Sequence, residues 1–481
     1  MKWYFFIHSA PFIGEFLGKL SYKVLENGEE VVFFTDTKIA EFSKRKYFPK
    51  DIKTISKVDW CIETYDKIQR GFKDFFWKGF FPVFDRANFF NFKFDYDDVM
   101  EMMSQEYQFF KYILEEEKPD VIIGESPISV LFPEIFSRHR NRTIFLGIIG
   151  SRFPGRIDIY DLENTCSKYE KSFKEMKNVS EEEKKFAKDL IEKFVSHKQL
   201  PSYMEYQNKI KNLGEIKRVK KYLKQEKEMW RYWSKYILNR KKFKKFDFHS
   251  ELLLKYTFFY HPFYALKRRL NISFLKNVFN HLSKDNKFFL FPLHLQPEFS
   301  TSVQATYFCD QINTIRNIAF SLPFPFKLYV KEHPSAVGER KKNFYEELEK
   351  IPNVVLISPY ENTKDLIEKS AGVITLTSTL GMEAALIGKP VYVLGNVFYS
   401  YHPLCKKVNS FEELKQKIEE DLGKKIIPDN LENINHRFVI SYFRNTIPGD
   451  IVAASSQNDT NNYKVIYEDI KRIFLSKNGK T

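Results

Sequence analysis

The sequence predicts an α/β protein of two doubly wound domains facing a cleft, with a helical insertion. Three observations carry this. The chain has 481 residues, more than one core organises. Short apolar runs alternate with helical patterns in two separate stretches, which implies parallel sheets covered by helices. Polar clusters recur just after the apolar runs, where open α/β sheets bind ligands.

The first domain is expected over residues 1–164. Trp3–His8 and Val31–Thr35 read as strands. Between them, Phe16, Leu17, Leu20 and Val24 stand at helical spacing in Ile13–Glu26, and Asn27-Gly28 gives a helix stop. A Phe-rich irregular region follows, then a helix over about 97–117, the strand Val121–Gly124, a helix near 128–139 and the strand Thr143–Ile149.

Residues 165–285 lack strand signals and are read as a basic helical insertion. Net charge is +15. Residues 205–245 alone hold 15 Lys and Arg against 4 Asp and Glu, a net +11. Trp230, Tyr232, Trp233 and Tyr236 interleave with these charges. The segment fits a solvated helical hairpin with an aromatic core first, and a membrane-surface or nucleic-acid face after that.

Strong alternation returns over 286–409. The strands are Phe288–Pro292, Lys327–Lys331, Val354–Ser358, Gly372–Leu376 and Val391–Gly395. Helices are expected at Tyr307–Ser321, Glu339–Lys350, Thr363–Ser370 and Leu380–Ile387. Residues 410–481 read as helices packing back on the first domain.

Composition and motifs exclude several classes. Cys61, Cys166, Cys309 and Cys405 are far apart, with no CxxC pair, which argues against a zinc site or a disulfide framework. Neither GxGxxG nor GxxxxGK[ST] occurs, so neither a dinucleotide enzyme nor a P-loop NTPase is expected. Asp95-Tyr96-Asp97 has the spacing of a metal motif but opens a helix, where acids favour the dipole; no metal is expected. Nothing approaches a spanning helix, so the expectation is a cytoplasmic protein, peripheral at most on the inner membrane face.

The candidate site residues lie after strands. Lys331, His333 and Ser335 follow one strand, with Pro334 fixing the turn. A lysine offers a point charge to phosphate, and an imidazole can donate to a phosphate oxygen or protonate a leaving group. Thr377, Ser378 and Thr379 crowd the next strand-to-helix turn. There they cap the helix, or leave amides open to an anion. Gly381 permits close backbone approach, and Glu383 is placed either to close a capping box or to accept from a ribose. His294, Gln296 and Glu298 form a third polar loop. In the first domain Glu125, after Gly124, is the candidate base for an acceptor hydroxyl, with His8 as a weaker companion.

The segments FPLHLQPEFSTS, LYVKEHPS and NVVLISPYENTKDLIEKSAGVITLTSTLGMEAALIGKPVYVLG resemble bacterial capsule and surface-polysaccharide glycosyltransferases. The likeness is greatest to the group that includes capsule Kdo transferases. It implies the two-domain GT-B architecture, with a nucleotide sugar in the second domain and a glycan or lipid-linked acceptor in the first. The KEHP and TST segments also resemble motifs of GT-B sialyltransferases, which implies a CMP-linked sugar of the nonulosonate or Kdo type as donor substrate and no cofactor. By position, His333 would meet the CMP phosphate, Lys331 would support it, Ser378 and Thr379 would hold phosphate or cytidine, and Glu383 would touch ribose. Leu376-Thr377-Ser378-Thr379 stands where CDP-glycerol transferases show Asp-Tyr-Ser-Ser, which lowers the polyol-phosphate reading. A UDP-sugar transferase or epimerase is the rival within the class. A basic nucleic-acid-binding protein or a membrane scaffold with a dead site is the rival outside it.

Overall fold

The computed structural model describes residues 1–8, 13–67, 77–89, 92–125, 143–153, 155–160, 166–196, 215–275, 278–283, 287–424, 426–451 and 460–477. The chain divides into two compact units. Unit 1 comprises Met1–Asn164, Leu200–Thr257 and Thr446–Thr481; unit 2 comprises Thr165–Gln199 and Phe258–Asn445.

Unit 1 holds strands β1 (Lys2–Ile7), β2 (Glu30–Thr35), β3 (Thr54–Ser56), β4 (Val121–Gly124), β5 (Ile144–Gly150) and β6 (Arg156–Tyr160). In unit 2 lie β7 (Phe288–Pro292), β8 (Lys327–Lys331), β9 (Val354–Ile357), β10 (Gly372–Thr375), β11 (Val391–Val393) and β12 (Cys405–Lys407). The last strand, β13 (Ile447–Pro448), returns to unit 1.

The first sheet runs β13-β6-β5-β4-β1-β2-β3 and the second β12-β11-β10-β7-β8-β9. Both are doubly wound. The chain builds outward from β1 through β2 to β3, then crosses to β4 on the other side. It repeats this from β7 through β8 and β9 to β10. Each sheet therefore has a switch point, β1/β4 or β7/β10, where the loops diverge and leave a crevice. These two Rossmann-like units are the pair that the GT-B class implies. The second sheet is parallel throughout. The first is not, because β6 and β13 join it antiparallel.

Continuous apolar runs make central strands because both faces are covered. Trp3, Phe5 and Ile7 of β1 point to one core with Phe16, Leu17 and Leu20 of the Ile13–Glu26 helix; Tyr4 and Phe6 point to another. Unit 2 has its own core around Phe289, Phe291, Val330 and Ile374.

Residues 165–285 are distributed between the units. The helices Ser167–Glu175 and Glu181–Val195 belong to unit 2, where Tyr169 stacks on Tyr442 with ring centroids 4.9 Å apart. The helix Glu215–Leu238 belongs to unit 1, as does the helix Phe248–Lys255, whose N-cap Asp247 accepts the Lys38 amide at 2.7 Å. In 410–481 the helices Phe411–Asp421 and Leu431–Arg444 stay in unit 2. Only the chain from Thr446 rejoins unit 1, where Tyr467 stacks on Trp3. The expected helix near 128–139 lies outside the described residues. Asp95 caps the helix Tyr96–Tyr112 by accepting the Asp98 amide, as its place before a helix suggests.

Gly18 is fixed by a close approach. A Cβ there would lie 2.3 Å from the Tyr47 carbonyl oxygen, and backbone does not yield as a side chain does. Gly18→Ala is expected to cost about 1–3 kcal/mol, read as a lowered midpoint in chemical denaturation. Gly150→Ala, where a Cβ meets nothing within 4 Å, is the control and should change stability little.

Candidate functional site at the switch point of unit 2

The second sheet delivers the loops after β7, β8 and β10 to one edge, and a single buried side chain ties them together. His294 follows β7. Its Nε2 accepts the Thr377 amide at 3.1 Å and lies 3.3 Å from Thr375 Oγ1, both beyond the end of β10 or at it. Accepting at Nε2 requires the neutral imidazole with its proton on Nδ1. Burial, with Arg340 and His333 adding to it, pushes the ring down to about 3, so it is neutral at ordinary pH. The His294 backbone is held from both directions. Its amide donates to Gln311 Oε1 at 2.8 Å, while its carbonyl accepts from Gln311 at 3.0 Å and Arg340 at 2.6 Å.

Arg340 in turn anchors the β8 loop. Glu332, buried, accepts from Arg340 Nε at 3.0 Å, the Tyr345 hydroxyl at 2.6 Å and the His333 amide at 2.6 Å. This fixes His333 at the sheet edge. Its Nδ1 accepts the Ser335 amide at 3.1 Å, so in the neutral ring the proton sits on Nε2. Burial lowers the His333 pKa, with Lys331 and Arg340 lowering it further and Glu332 opposing. His333 is therefore a half-buried neutral donor. Lys331 is the last residue of β8. Its ammonium donates to the Pro359 carbonyl at 2.8 Å, and burial lowers its pKa against the opposing charges of Glu361, Glu383 and Glu332.

The turn after β10 is more occupied than its sequence suggests. Ser378, the N-cap of the helix Thr379–Ile387, accepts the Leu380 amide, and Thr375 Oγ1 accepts the Ser378 amide. With His294 on the Thr377 amide, side chains accept three amides that the sequence reading leaves open to an anion. The Thr377 hydroxyl donates to the Ser300 carbonyl at 3.1 Å. A capping box does not form. With Ser378 as the cap, the third helical position is Gly381, and Glu383 lies two residues further on, leaving it to interact electrostatically with Lys331. Gly381 serves packing, since a Cβ there would lie 2.6 Å from the Tyr399 hydroxyl. Glu298 caps the helix Phe299–Ser302, and Gln296 Oε1 accepts from Gln311 at 3.1 Å.

His294, Lys331, His333, Ser335, Thr377, Ser378, Thr379, Gly381 and Glu383 are thus gathered by one sheet edge, while Gln296 and Glu298 support the loop beside it. Arg340, Glu332, Gln311 and Tyr399 were not singled out by the sequence. Glu332 carried a signal, lying between Lys331 and His333; the others lie far along the chain from what they hold.

In unit 1 the corresponding switch point brings His8 and Glu125 together, with His8 Nε2 lying 3.2 Å from Glu125 Oε2. His8 is buried at the end of β1, and Glu125 follows β4 and is partly exposed. Ser126 lies outside the described residues. Asp36, just after β2, is buried and raised by that burial, with Lys57 and His8 opposing.

The basic stretch is described from residue 215. Trp233 and Tyr236 are buried while Trp230 is exposed, and the Tyr236 hydroxyl donates to Glu251 at 3.1 Å, so only part of the aromatic set is packed inward. No described helix is long and apolar enough to cross a membrane.

His294 makes stability pH-dependent. Its folded pKa, about 3, lies below the unfolded value of about 6.5, so unfolding takes up a proton between them. Stability held above pH ~6.5 is lost as pH falls toward ~3, by about 1.4 kcal/mol per pH unit from this group. Denaturation midpoints of wild type and His294→Asn, followed from neutral pH to about 4.5, should show the variant less acid-sensitive by one proton.

Comparison with known proteins accords with the resemblance read from the sequence. Residues 217–442 match the family model described as capsule polysaccharide biosynthesis protein. No curated protein matches the chain in sequence. Similar solved structures include the beta Kdo 2,7 transferase of Thermosulfurimonas dismutans KpsC, at 13% identity, covering 72% of this chain and 87% of that one with a TM-score of 0.31. The beta Kdo 2,4 transferase of the same KpsC, also at 13%, covers 66% and 87% with a TM-score of 0.35. A UDP-GlcNAc 2-epimerase from Methanocaldococcus jannaschii, at 13%, covers 92% and 99% with a TM-score of 0.25. The family match, over residues 217–442, covers somewhat less than half of the chain and includes the second sheet with the loops that carry His294, His333 and Thr377.

Proposed function

We propose that this protein is a glycosyltransferase of capsule or surface-polysaccharide assembly, taking a CMP-linked sugar at the switch point of unit 2. The observation that carries the reading is His333. It is a neutral imidazole whose Nδ1 is occupied by the Ser335 amide, which leaves its Nε2–H as donor at the end of a parallel strand. The family match and the charge of Lys331 support it.

In the proposed reaction a bond forms between an acceptor hydroxyl oxygen and the anomeric carbon, and the bond from that carbon to the CMP phosphate oxygen breaks. His333 donates to the leaving phosphate, Lys331 offsets its charge, Thr379 and Ser335 supply hydroxyls, and Glu383 accepts from ribose. Glu125, oriented by His8, takes the acceptor's proton. No metal or cofactor enters the scheme. The acceptor is a glycan or lipid-linked glycan, and the basic face within 205–245 is the proposed contact for its anionic surroundings.

Titration calorimetry with CMP, CDP and UDP tests the donor. CMP should bind, and His333→Ala should weaken it about 10- to 100-fold, the worth of one hydrogen bond to a charged group. UDP binding with CMP silent would sink the assignment. Glu125→Gln should keep CMP affinity while lowering kcat for transfer by roughly 10²–10⁴. A variant that transfers at the wild-type rate would remove Glu125 from the mechanism.

A further inference from the structure

The helix His261–Leu275 has two faces that do different things. One face clamps the loop that carries His333. Arg268 Nε donates to the Val337 carbonyl at 2.9 Å and its Nη2 to the Ser335 carbonyl at 3.0 Å. Asn271 Nδ2 donates to the Gly338 and Arg340 carbonyls at 3.1 and 3.2 Å. Gly338 has φ +81°, and a Cβ there would lie 2.7 Å from the Arg268 carbonyl oxygen and 2.8 Å from Ile272 Cγ1. The helix backbone thus rests directly on the loop.

The other face is apolar and uncovered. Phe263, Leu266 and Leu270 are 73%, 59% and 66% exposed. At about 100° per residue their spacing puts them within one arc of roughly 60°, opposite Arg268 and Ile272. Lys267 and Arg269, both exposed, border this stripe on either side. No Asp or Glu occurs between His261 and Leu275. A stripe of large apolar side chains bordered by cations and free of acids matches a lipid interface, where the apolar residues enter the acyl boundary and the cations meet anionic headgroups. The chain's net charge of +15 acts in the same direction.

We propose that Phe263, Leu266 and Leu270, with Lys267 and Arg269, dock on the surface of an anionic bilayer, and that docking stiffens the 333–340 loop clamped by the opposite face. The docking stands on its own; the consequence for catalysis rests on the donor-site reading above. A bilayer contact would then act on the donor edge through Arg268 and Asn271.

Flotation of the full chain with phosphatidylcholine vesicles, with and without phosphatidylglycerol, at about 0.1 M salt, tests the docking. Wild type should rise with the anionic vesicles and stay behind with the neutral ones. Leu266→Gln/Leu270→Gln, at exposed positions that leave helix content by circular dichroism unchanged, should bind ~10-fold less or worse. Hydrogen exchange of the 333–340 amides should slow on anionic vesicles for wild type alone. This readout needs no nucleotide, so a failed CMP titration would leave it standing. Absence of flotation, or equal flotation by the variant, would overturn the docking. So would a dimer in sedimentation that the two substitutions break, since the face would then cover a second copy. Flotation with unchanged exchange would remove the coupling.

Discussion

The proposed donor edge of unit 2 depends on one neutral imidazole. His294 accepts the Thr377 amide through Nε2, and a protonated ring has no lone pair there. Burial and the neighbouring positive charge of Arg340 keep it neutral. The consequence spreads through Arg340, which bonds the His294 carbonyl and the Glu332 carboxylate. Glu332 also holds the His333 amide and the Tyr345 hydroxyl. Loops following three strands are thereby joined into one unit. His333 and Ser335 project from a scaffold already fixed, which is what preorganised electrostatics requires.

Much of this was readable from the chain. Strand-to-helix alternation, the ends of the central strands and the clustering of His, Lys, Ser and Thr beyond them follow from local pattern, because an apolar strand must stop where its covering helices stop. What local pattern does not hold is the partner across the fold. Thr377 meets a histidine 83 residues earlier, and Arg340 a carbonyl 46 residues earlier. Hence His294 and the Thr377–Ser378 turn read as ligand groups, although the structure uses them on each other. The antiparallel edge was missed for the same reason: β6 pairs with β13 near the far end of the chain, and Arg156 bonds Thr446 across 290 positions. The expected capping box fails on spacing: with Ser378 as the cap the reciprocating position is Gly381, and with Thr379 it would be Met382, so Glu383 reaches it in neither case.

The two switch points use the same winding to different electrostatic ends. At β7/β10 the histidine is walled in and kept neutral, so it organises backbone. At β1/β4 His8 lies beside a carboxylate that reaches solvent, and Asp36, buried nearby, has its pKa raised by that burial. Lys57, paired with Glu106 at 3.7 Å, prevents that cluster from being purely acidic. A carboxylate next to an imidazole can exchange a proton with it, whereas an imidazole bonded to an amide cannot. The fold supplies the crevice in both units, and the residue after the strand decides what the crevice does.

Charge balance at the donor edge bears on which nucleotide the proposal favours. Lys331, expected to meet phosphate, is buried, bonded to the Pro359 carbonyl and opposed by Glu361 and Glu383, and Arg268, bonded to the His333 loop, lies 3.7 Å from Glu339. Arg340 is committed to Glu332 at 3.0 Å. His333 and His294 both have lowered pKa values, so they contribute dipoles rather than full charges near pH 7. The helix Thr379–Ile387 adds its partial positive end, though side chains accept some of its first amides. A leaving diphosphate would place more negative charge against this small positive supply, and uncompensated charge is costly away from water. A single phosphate, bonded by the His333 Nε2–H with Lys331 behind it, asks less of the same groups. On the proposed reading, that balance suits a leaving monophosphate better than a leaving diphosphate.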